Sequence, residues 1–311
     1  MNTPIATLLS AGLVAGFALS SQAQTTFNDS SATDSFIRNA SNWDNGLPTG
    51  GSNPGTIAID ADFDTNSDLE GYDISHTAGD VSRGAGLSAL RIGNGTTWVM
   101  SGSATTSGFR GLAANDGGSF TQNGGAADLS NNNRDTSVAG TGTITVNSGT
   151  MTIGRDLIAR DGGTFTVTGG TITGIDQFLT QGFASAAGGY NFNGGSTTAD
   201  NFQLDTAGTA TFSGTNAGSL NLLSGLGNGV TLDWQLGSLM QLTVAGADFA
   251  FYEGLFATNI LRFGGSNAGE FSNNFQVSGA TLSLSLVPEP SSFALISGML
   301  GLTWVMLRRR Q

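Results

Sequence analysis

The chain contains no cysteine and no lysine, and it has a single histidine among its 311 residues. The absence of cysteine excludes a disulfide framework, a thiolate nucleophile and any cysteine-based metal site. A single histidine excludes a metal site built from several imidazoles. All eleven basic residues are arginines, and 23 acidic residues bring the net charge to −12. We therefore expect no nucleic-acid partner, because nucleic-acid binding depends on clustered lysine and arginine side chains.

Proline and charged residues are also scarce, whereas glycine is abundant. The chain has five prolines and 11% charged residues, against 48 glycines and a hydrophobic fraction of 38%. This hydrophobic fraction is too high for a plainly disordered chain, and this much glycine disfavours an ordinary helical domain. The composition therefore favours an all-β protein with short strands and many turns.

The N-terminus has the pattern of a secretory signal peptide. A short apolar run from Ile5 to Leu19 is followed by Ser21-Gln22-Ala23, which places small residues where signal peptidase needs them. We predict a signal peptide over residues 1–23, with cleavage between Ala23 and Gln24. The body of the protein is then exported.

A second signal lies at the C-terminus. It consists of Val287, Pro288, Glu289 and Pro290, an apolar run of fifteen residues over 293–307, and the terminal cluster Arg308, Arg309 and Arg310. As a helix the apolar run would span about 22 Å, less than the ~30 Å hydrocarbon core, so we expect a transient inner-membrane anchor. The arginines keep the C-terminus cytoplasmic, and the N-terminal signal places the body on the opposite side.

Residues 287–311 resemble the PEP-CTERM sorting signal of Gram-negative bacteria. The resemblance implies recognition by an exosortase, an integral-membrane cysteine protease, and processing near Pro288-Glu289-Pro290. It also implies transfer of the body to the cell surface, the outer membrane or the extracellular polysaccharide. It concerns sorting alone and carries no information about activity.

Six segments between the two signals share a turn glycine followed by a short alternating strand. Their anchor glycines are Gly95, Gly118, Gly142, Gly163, Gly189 and Gly208, at intervals of 19 to 26 residues. The alternating pairs are Trp98/Met100, Phe120/Gln122, Ile144/Val146, Phe165/Val167, Tyr190/Phe192 and Ala210/Phe212. We predict that one side of each strand faces a common core.

Each repeat also carries a second apolar patch before its anchor. These patches are Leu90/Ile92, Leu112, Val138, Leu157/Ala159, Phe178 and Phe202/Leu204. The period is too short for two strands joined by a helix, but it suits stacked coils of two or three short strands. We predict a parallel β-helix (β-solenoid) over residues 86–220, with an antiparallel β-sandwich as the alternative, because Gly-Gly and Asn-Gly also favour hairpins. The repeats resemble β-solenoid stalks of secreted Planctomycetes and Verrucomicrobia proteins and autotransporter passenger regions.

The flanking segments are predicted to close the ends of the solenoid. Residues 24–85 form an acidic N-terminal cap, and residues 221–286 form a β-rich C-terminal cap, since open ends would expose unpaired strands. Within the second cap, Asp248 is expected to N-cap a short helix with Phe249, Tyr252 and Phe256 on one side.

One acidic segment has the spacing of a calcium loop. Asp60, Asp62, Asp64 and Asp68 alternate as in the start of an EF-hand or dockerin-type loop, and Glu70 follows. Thr65 stands where the sharp turn needs glycine, and Gly71 stands where a bidentate glutamate is needed. We expect weak Ca²⁺ binding or a solvated acidic edge, and no other cofactor.

Candidate catalytic groups are few. Arg155-Asp156 and Arg160-Asp161 have the residue types of β-helix lyases, but we find no matching acidic pair in the neighbouring repeats and interpret them as corner charges. His76 lacks a nucleophile-elbow context and is expected in a strand or turn. We therefore predict that the protein is not an enzyme.

Together these observations predict an exported structural β-solenoid, sorted by exosortase and associated with exopolysaccharide or biofilm at the cell surface. The alternative is a carbohydrate-binding or polysaccharide-degrading β-helix protein. A groove lined by aromatic or acidic side chains from adjacent coils would favour that alternative.

Overall fold

The computed structural model describes residues 25–28, 37, 39–48, 55–57, 59, 61–63, 69, 72–83, 89–93, 95–131, 134–181, 189–204, 209–227, 231–285 and 299–300. The first strands are β1 (Thr25–Thr26), β2 (Gly55–Ile57), β3 (Ala61–Phe63), β4 (Asp73–His76), β5 (Asp80–Arg83), β6 (Leu90–Ile92), β7 (Thr97–Met100), β8 (Thr105–Ser107), β9 (Leu112–Asn115), β10 (Ser119–Leu129), β11 (Thr136–Ala139) and β12 (Thr143–Ile153). The remaining strands are β13 (Leu157–Arg160), β14 (Thr164–Val167), β15 (Thr171–Gln181), β16 (Gly189–Phe192), β17 (Gly195–Leu204), β18 (Thr209–Phe212), β19 (Gly218–Leu226), β20 (Thr231–Trp234), β21 (Met240–Val244), β22 (Leu261–Phe263), β23 (Phe275–Ser278) and β24 (Thr281–Leu284). The helices are a 3-10 turn (Ala40–Asn42), α1 (Phe249–Ala257) and α2 (Phe271–Asn274).

The strands wind into coils with three faces, and equivalent strands of successive coils pair side by side. Face one contains β1, β2, β4, β7, the first part of β10 and of β12, then β14, β16, β18, β20 and β22. Face two contains β3, β5, β8, the ends of β10 and β12, the starts of β15, β17 and β19, and β21. Face three contains β6, β9, β11, β13 and the ends of β15, β17 and β19.

The predicted parallel β-helix is confirmed. The chain forms a β-solenoid of about seven turns, and all of these face pairings are parallel. Among the described strand pairings, only β21–β24 and β23–β24 at the C-terminal end are antiparallel. The antiparallel sandwich is therefore wrong as a description of the repeats.

The predicted core pairs form one column along face one. All twelve side chains of the six pairs are fully buried, and neighbouring pairs are in register, as in Ile144 beside Phe165 and Val146 beside Val167. Among the described side chains of the second apolar patches, Leu112, Val138 and Phe178 are fully buried on the interior of face three. Because successive side chains of a strand point to opposite faces, every second side chain of these strands lies in the core.

The parallel ladder begins before the predicted solenoid boundary at residue 86. On face one, β2 pairs with β4 and β4 pairs with β7, so that Ile74 and His76 lie beside Trp98 and Met100. On face two, β3 pairs with β5 and β5 with β8. The segment assigned to an N-terminal cap therefore contributes coils of the same ladder.

Aromatic packing closes the N-terminal end. Trp43 is buried, its indole N–H donates to the Ile37 carbonyl oxygen at 2.7 Å, and its ring meets Phe27 edge-on at 5.3 Å. The neighbouring Asp44 carboxylate accepts from the Thr26 N–H at 2.7 Å, and this bond lowers the pKa of Asp44. These contacts fix the loop against the first coil.

The C-terminal end is closed by α1, α2 and the hairpin of β23 and β24. The Asp248 side chain accepts from the Phe251 N–H at 2.9 Å, which confirms the predicted helix cap. Tyr252 and Phe256 are buried, whereas Phe249 is 47% exposed. Phe249 and Phe256 both lie against the ring of Phe271 in α2.

Two substitutions in β14 test the register. Phe165→Asp places an unpaired charge in the fully buried column and should lower the free energy of unfolding by more than about 3 kcal/mol. Thr166→Asp points outwards beside Thr145 and Asn191 and should cost less than about 1 kcal/mol. Urea unfolding measures both values, and equal losses would contradict the register.

Candidate functional site

The most distinctive surface feature is a groove on face three, with a volume of about 300 Å³. Arg91, Arg110, Arg134 and Arg160 line it. We call it the arginine groove. Ala113 of β9 and Ser137 of β11, which are paired neighbours, also line the groove.

Strand alternation explains why these side chains face outwards. Arg91 lies between the buried residues Leu90 and Ile92, and Ser137 lies between the buried residues Thr136 and Val138. Successive side chains of a strand point to opposite faces, so a core position on each side of a residue directs that residue to the surface. The small side chains of Ala113 and Ser137 leave a depression between the longer arginines.

The register of face three brings two of these arginines into equivalent positions. Arg110 and Arg134 each lie two residues before the first residue of their strand, at Leu112 and Thr136, and the two strands pair in register. Arg155 lies at the same position in the next coil, two residues before Leu157. The corner preceding face three thus presents arginine in three consecutive coils, about 4.8 Å apart along the solenoid axis.

The groove is rich in arginine although the protein is acidic. Four of the eleven arginines line it, and Asp135 is the one carboxylate among the described lining residues. Asp135 is held by Arg155, whose Nε lies 2.7 Å from Asp135 Oδ1. The negative charge inside the groove is therefore already balanced by an arginine at its edge.

The corner around Arg155 is an ion-pair cluster. Arg155 contacts both Asp135 of the preceding coil and Asp156 of its own coil, with Nε 3.2 Å from Asp156 Oδ2. The preceding coil thus contributes one acid, Asp135, to this corner. Asp135 raises the pKa of the Arg155 guanidinium, so Arg155 stays protonated and cannot serve as a general base at neutral pH.

Asp156 is the more buried acid of this corner. It is nearly buried, and burial raises its pKa above the usual value of 3.8, with a further increase from the negative charge of Asp135. The contact with Arg155 acts in the opposite direction. The arrangement is a structural ion-pair cluster, as the prediction of corner charges implied.

His76 is a core residue. Its side chain is fully buried in register with Met100, its Nε2 lies 3.1 Å from the Gly79 carbonyl oxygen, and its ring meets Trp98 edge-on. Burial lowers its pKa. This position in a strand agrees with the sequence-based interpretation.

Of the four predicted calcium ligands, the structure describes only the backbone of Asp62. Asp60, Asp64 and Asp68 lie outside the described residues, and Asp62 lies in β3, paired with Ser82 of β5. Across the described ranges, no group of three or more histidine, cysteine, aspartate or glutamate side chains could hold a metal ion. Weak calcium binding therefore stays a prediction.

The predicted processing residues also lie outside the described ranges. They are Ala23, Gln24, Val287, Pro288, Glu289, Pro290, Arg308, Arg309 and Arg310. Of the predicted membrane segment 293–307, only Met299 and Leu300 are described. Their roles in sorting therefore remain predictions from the sequence.

The ion-pair cluster predicts a pH-dependent effect of Arg155→Gln. At pH 7 the substitution leaves Asp135 and Asp156 facing each other and should lower the free energy of unfolding by up to about 1 kcal/mol. A raised pKa in the folded state means that the folded protein binds more protons than the unfolded chain as the pH falls towards 4, so acid favours folding. The deficit of the variant should therefore shrink between pH 7 and about pH 4.

Urea unfolding over this pH range measures the effect. Arg262→Gln is the matched control, because Arg262 is an arginine of the C-terminal end whose Nε donates to the Asn259 carbonyl oxygen. Its effect should not vary with pH. A deficit of Arg155→Gln that stays constant from pH 7 to pH 4 would show that the two carboxylates do not interact as described.

Comparisons with protein-family models, curated proteins and solved structures gave no match for this chain. Within the ranges that the structure describes, no helix has the length and apolar character needed to cross a membrane.

Proposed function

We propose that this protein is an exported, non-catalytic β-solenoid of the cell surface or extracellular matrix, where it associates with exopolysaccharide or biofilm. In this proposal, signal peptidase removes residues 1–23. The segment 293–307 anchors the protein transiently in the inner membrane, and exosortase then processes the chain near Pro288-Glu289-Pro290. The resemblance of residues 287–311 to the PEP-CTERM signal supports this route.

The main support for a structural role is a continuous hydrophobic core that is covered at both ends of the solenoid. One cluster of buried side chains runs from Phe27 near the N-terminus to Leu284 near the C-terminus. Aromatic stacking continues through it, as where Phe212 lies 3.8 Å from Trp234 and Trp234 meets Phe275 edge-on. A rod with a packed core and closed ends is suited to act as a rigid spacer.

The outer faces favour the structural role over the carbohydrate-binding or polysaccharide-degrading alternative. Among the described residues, the large aromatic rings Trp98, Phe120 and Phe165 of the coils point inwards, and the exposed aromatic side chains are Phe249 and Phe251 of the C-terminal cap. Outward positions of the strands carry small polar residues such as Thr164 and Thr166. A sugar-binding platform of several aromatic rings from adjacent coils is thus missing from the described faces.

Intact-mass measurement of the extracellular form tests the proposed sorting. The surface-exposed protein should start at Gln24 and end within residues 287–290, because both terminal segments are removed during export. The variant Pro288→Ala/Glu289→Ala/Pro290→Ala should instead retain its C-terminal tail and stay with the membrane fraction. A surface-exposed wild-type form that still contains Arg308–Arg310 would contradict the proposal.

A further inference from the structure

We infer that the C-terminal hairpin is a pairing surface for a second copy of this chain. The contact is made by the outer edge of β23, which runs from Phe275 to Ser278. Two copies join antiparallel about a twofold axis at Val277 and form a closed dimer. The inference goes beyond the proposed function and does not depend on export or sorting.

The hairpin leaves one edge of β23 free. Within the described residues β23 pairs with β24 alone, and β24 pairs on its other side with β21. The Ser285 N–H donates to the Asn274 carbonyl oxygen at 2.9 Å. Bonded pairs alternate along an antiparallel ladder, so Gln276 and Ser278 also bond to β24, whereas the N–H and C=O groups of Val277 point away from it. These two groups are available to another strand.

The ends of face one are closed, in contrast to this edge. In β1, the Thr26 N–H donates to Asp44 Oδ1 at 2.7 Å, and the Asp44 N–H donates to the Thr26 carbonyl oxygen at 3.1 Å. In β22, the Phe263 N–H donates to the Ser266 carbonyl oxygen at 2.7 Å, and the return bond is 3.3 Å long. The coils therefore cannot continue from one copy into the next along face one.

The free edge also lacks the features that usually prevent pairing. Exposed edge strands are commonly protected by charged side chains or proline. The sequence of β23 is Phe-Gln-Val-Ser, and residues 271–285 contain no charged residue and no proline. Another strand can therefore approach β23 without meeting a charge on it.

Core packing holds the edge in place. Phe275 is buried, meets Trp234 edge-on at 5.8 Å and stacks on Phe271 at 5.4 Å. The alternate side chains Gln276 and Ser278 are exposed. Because the strand is already ordered, pairing costs little conformational entropy.

Charge and symmetry make a second copy the partner that fits. Most surfaces of two copies repel each other, because each chain has a net charge of −12. The uncharged hairpin lets two copies meet without opposed like charges. A twofold axis at Val277 also brings each free N–H opposite the free C=O of the second copy, so two reciprocal hydrogen bonds form. Only a short strand is buried, so the dimer is weak and depends on concentration.

Disulfide crosslinking between two single-cysteine variants tests this pairing, since the natural chain has no cysteine. The twofold axis at Val277 places residue 276 of one copy opposite residue 278 of the other, with Cα atoms about 4.5 Å apart, within disulfide range. Two copies of the same variant place their cysteines about 8 Å apart, beyond that range. An oxidised mixture of full-length Gln276→Cys and Ser278→Cys in mild detergent should therefore give mainly the mixed dimer, identified by intact mass.

Two crosslinking results would overturn the inference. One is the absence of dimers in the mixture. The other is a random distribution of mixed and identical dimers, because association through the apolar segment 293–307 or another surface has no preference for the mixed pair.

Sedimentation of the full-length protein in the same detergent tests the edge without cysteines. Wild type should form a dimer as its concentration rises. Gln276→Glu/Ser278→Glu places like charges opposite each other across the axis and should weaken dimerisation by about tenfold or more. Thr171→Glu/Thr173→Glu is the matched control, because it adds the same charges at exposed positions of β15 and should dimerise like the wild type.

Equal thermal midpoints would show that the three proteins are folded. A wild-type protein that stays monomeric at every concentration would overturn the inference, as would equal dimerisation of wild type and Gln276→Glu/Ser278→Glu. Growth beyond a dimer would also overturn it, because twofold pairing uses the free edge of both copies.

Discussion

The structure depends on the in-register contact of successive coils, in which each inward side chain lies directly on its counterpart in the next coil. The backbone bonds of the parallel ladder hold this contact, and the corners must allow it. A Cβ atom on Gly125 would overlap the Ala104 carbonyl oxygen, and one on Gly174 would overlap the Ile153 carbonyl oxygen. Both residues also have positive φ values, which only glycine adopts readily. Glycine at such corners lets the coils approach to the spacing that the core needs.

The same register determines the outer surface. Residues that are more than twenty positions apart in the chain become neighbours at about 4.8 Å, so a side chain repeated in successive coils becomes a row. Arg110, Arg134 and Arg155 form such a row, and Asp135 lies beside Asp156 by the same rule. Arg155 balances the two acids, while Arg110 and Arg134 contribute to the groove. An arginine-rich groove therefore forms on a protein with a net charge of −12.

The sequence predicted the fold well where alternation and glycine coincide, as at Phe165/Val167 and Tyr190/Phe192. It missed the coils before residue 86, although Gly71 stands two residues before β4 as Gly95 stands two residues before β7, 24 residues later. The arginine groove was missed because its members are far apart in the chain and only the strand register aligns them. One signal was present: Arg134-Asp135 and Arg155-Asp156 repeat at the same distance before Thr136 and Leu157, the buried first residues of their strands.

Disulfide formation between two engineered cysteines tests the register most directly, since the natural chain has no cysteine. Thr145 and Thr166 are paired in adjacent coils, so the Cα atoms of Thr145→Cys/Thr166→Cys should lie about 5 Å apart, within the range that a disulfide spans. Thr145→Cys/Thr164→Cys is offset by two residues, and its Cα atoms should lie about 8 Å apart, beyond that range. The account predicts rapid oxidation of the first pair and little oxidation of the second. Preferential oxidation of the second pair would contradict the stacked register on which the core and the arginine groove depend.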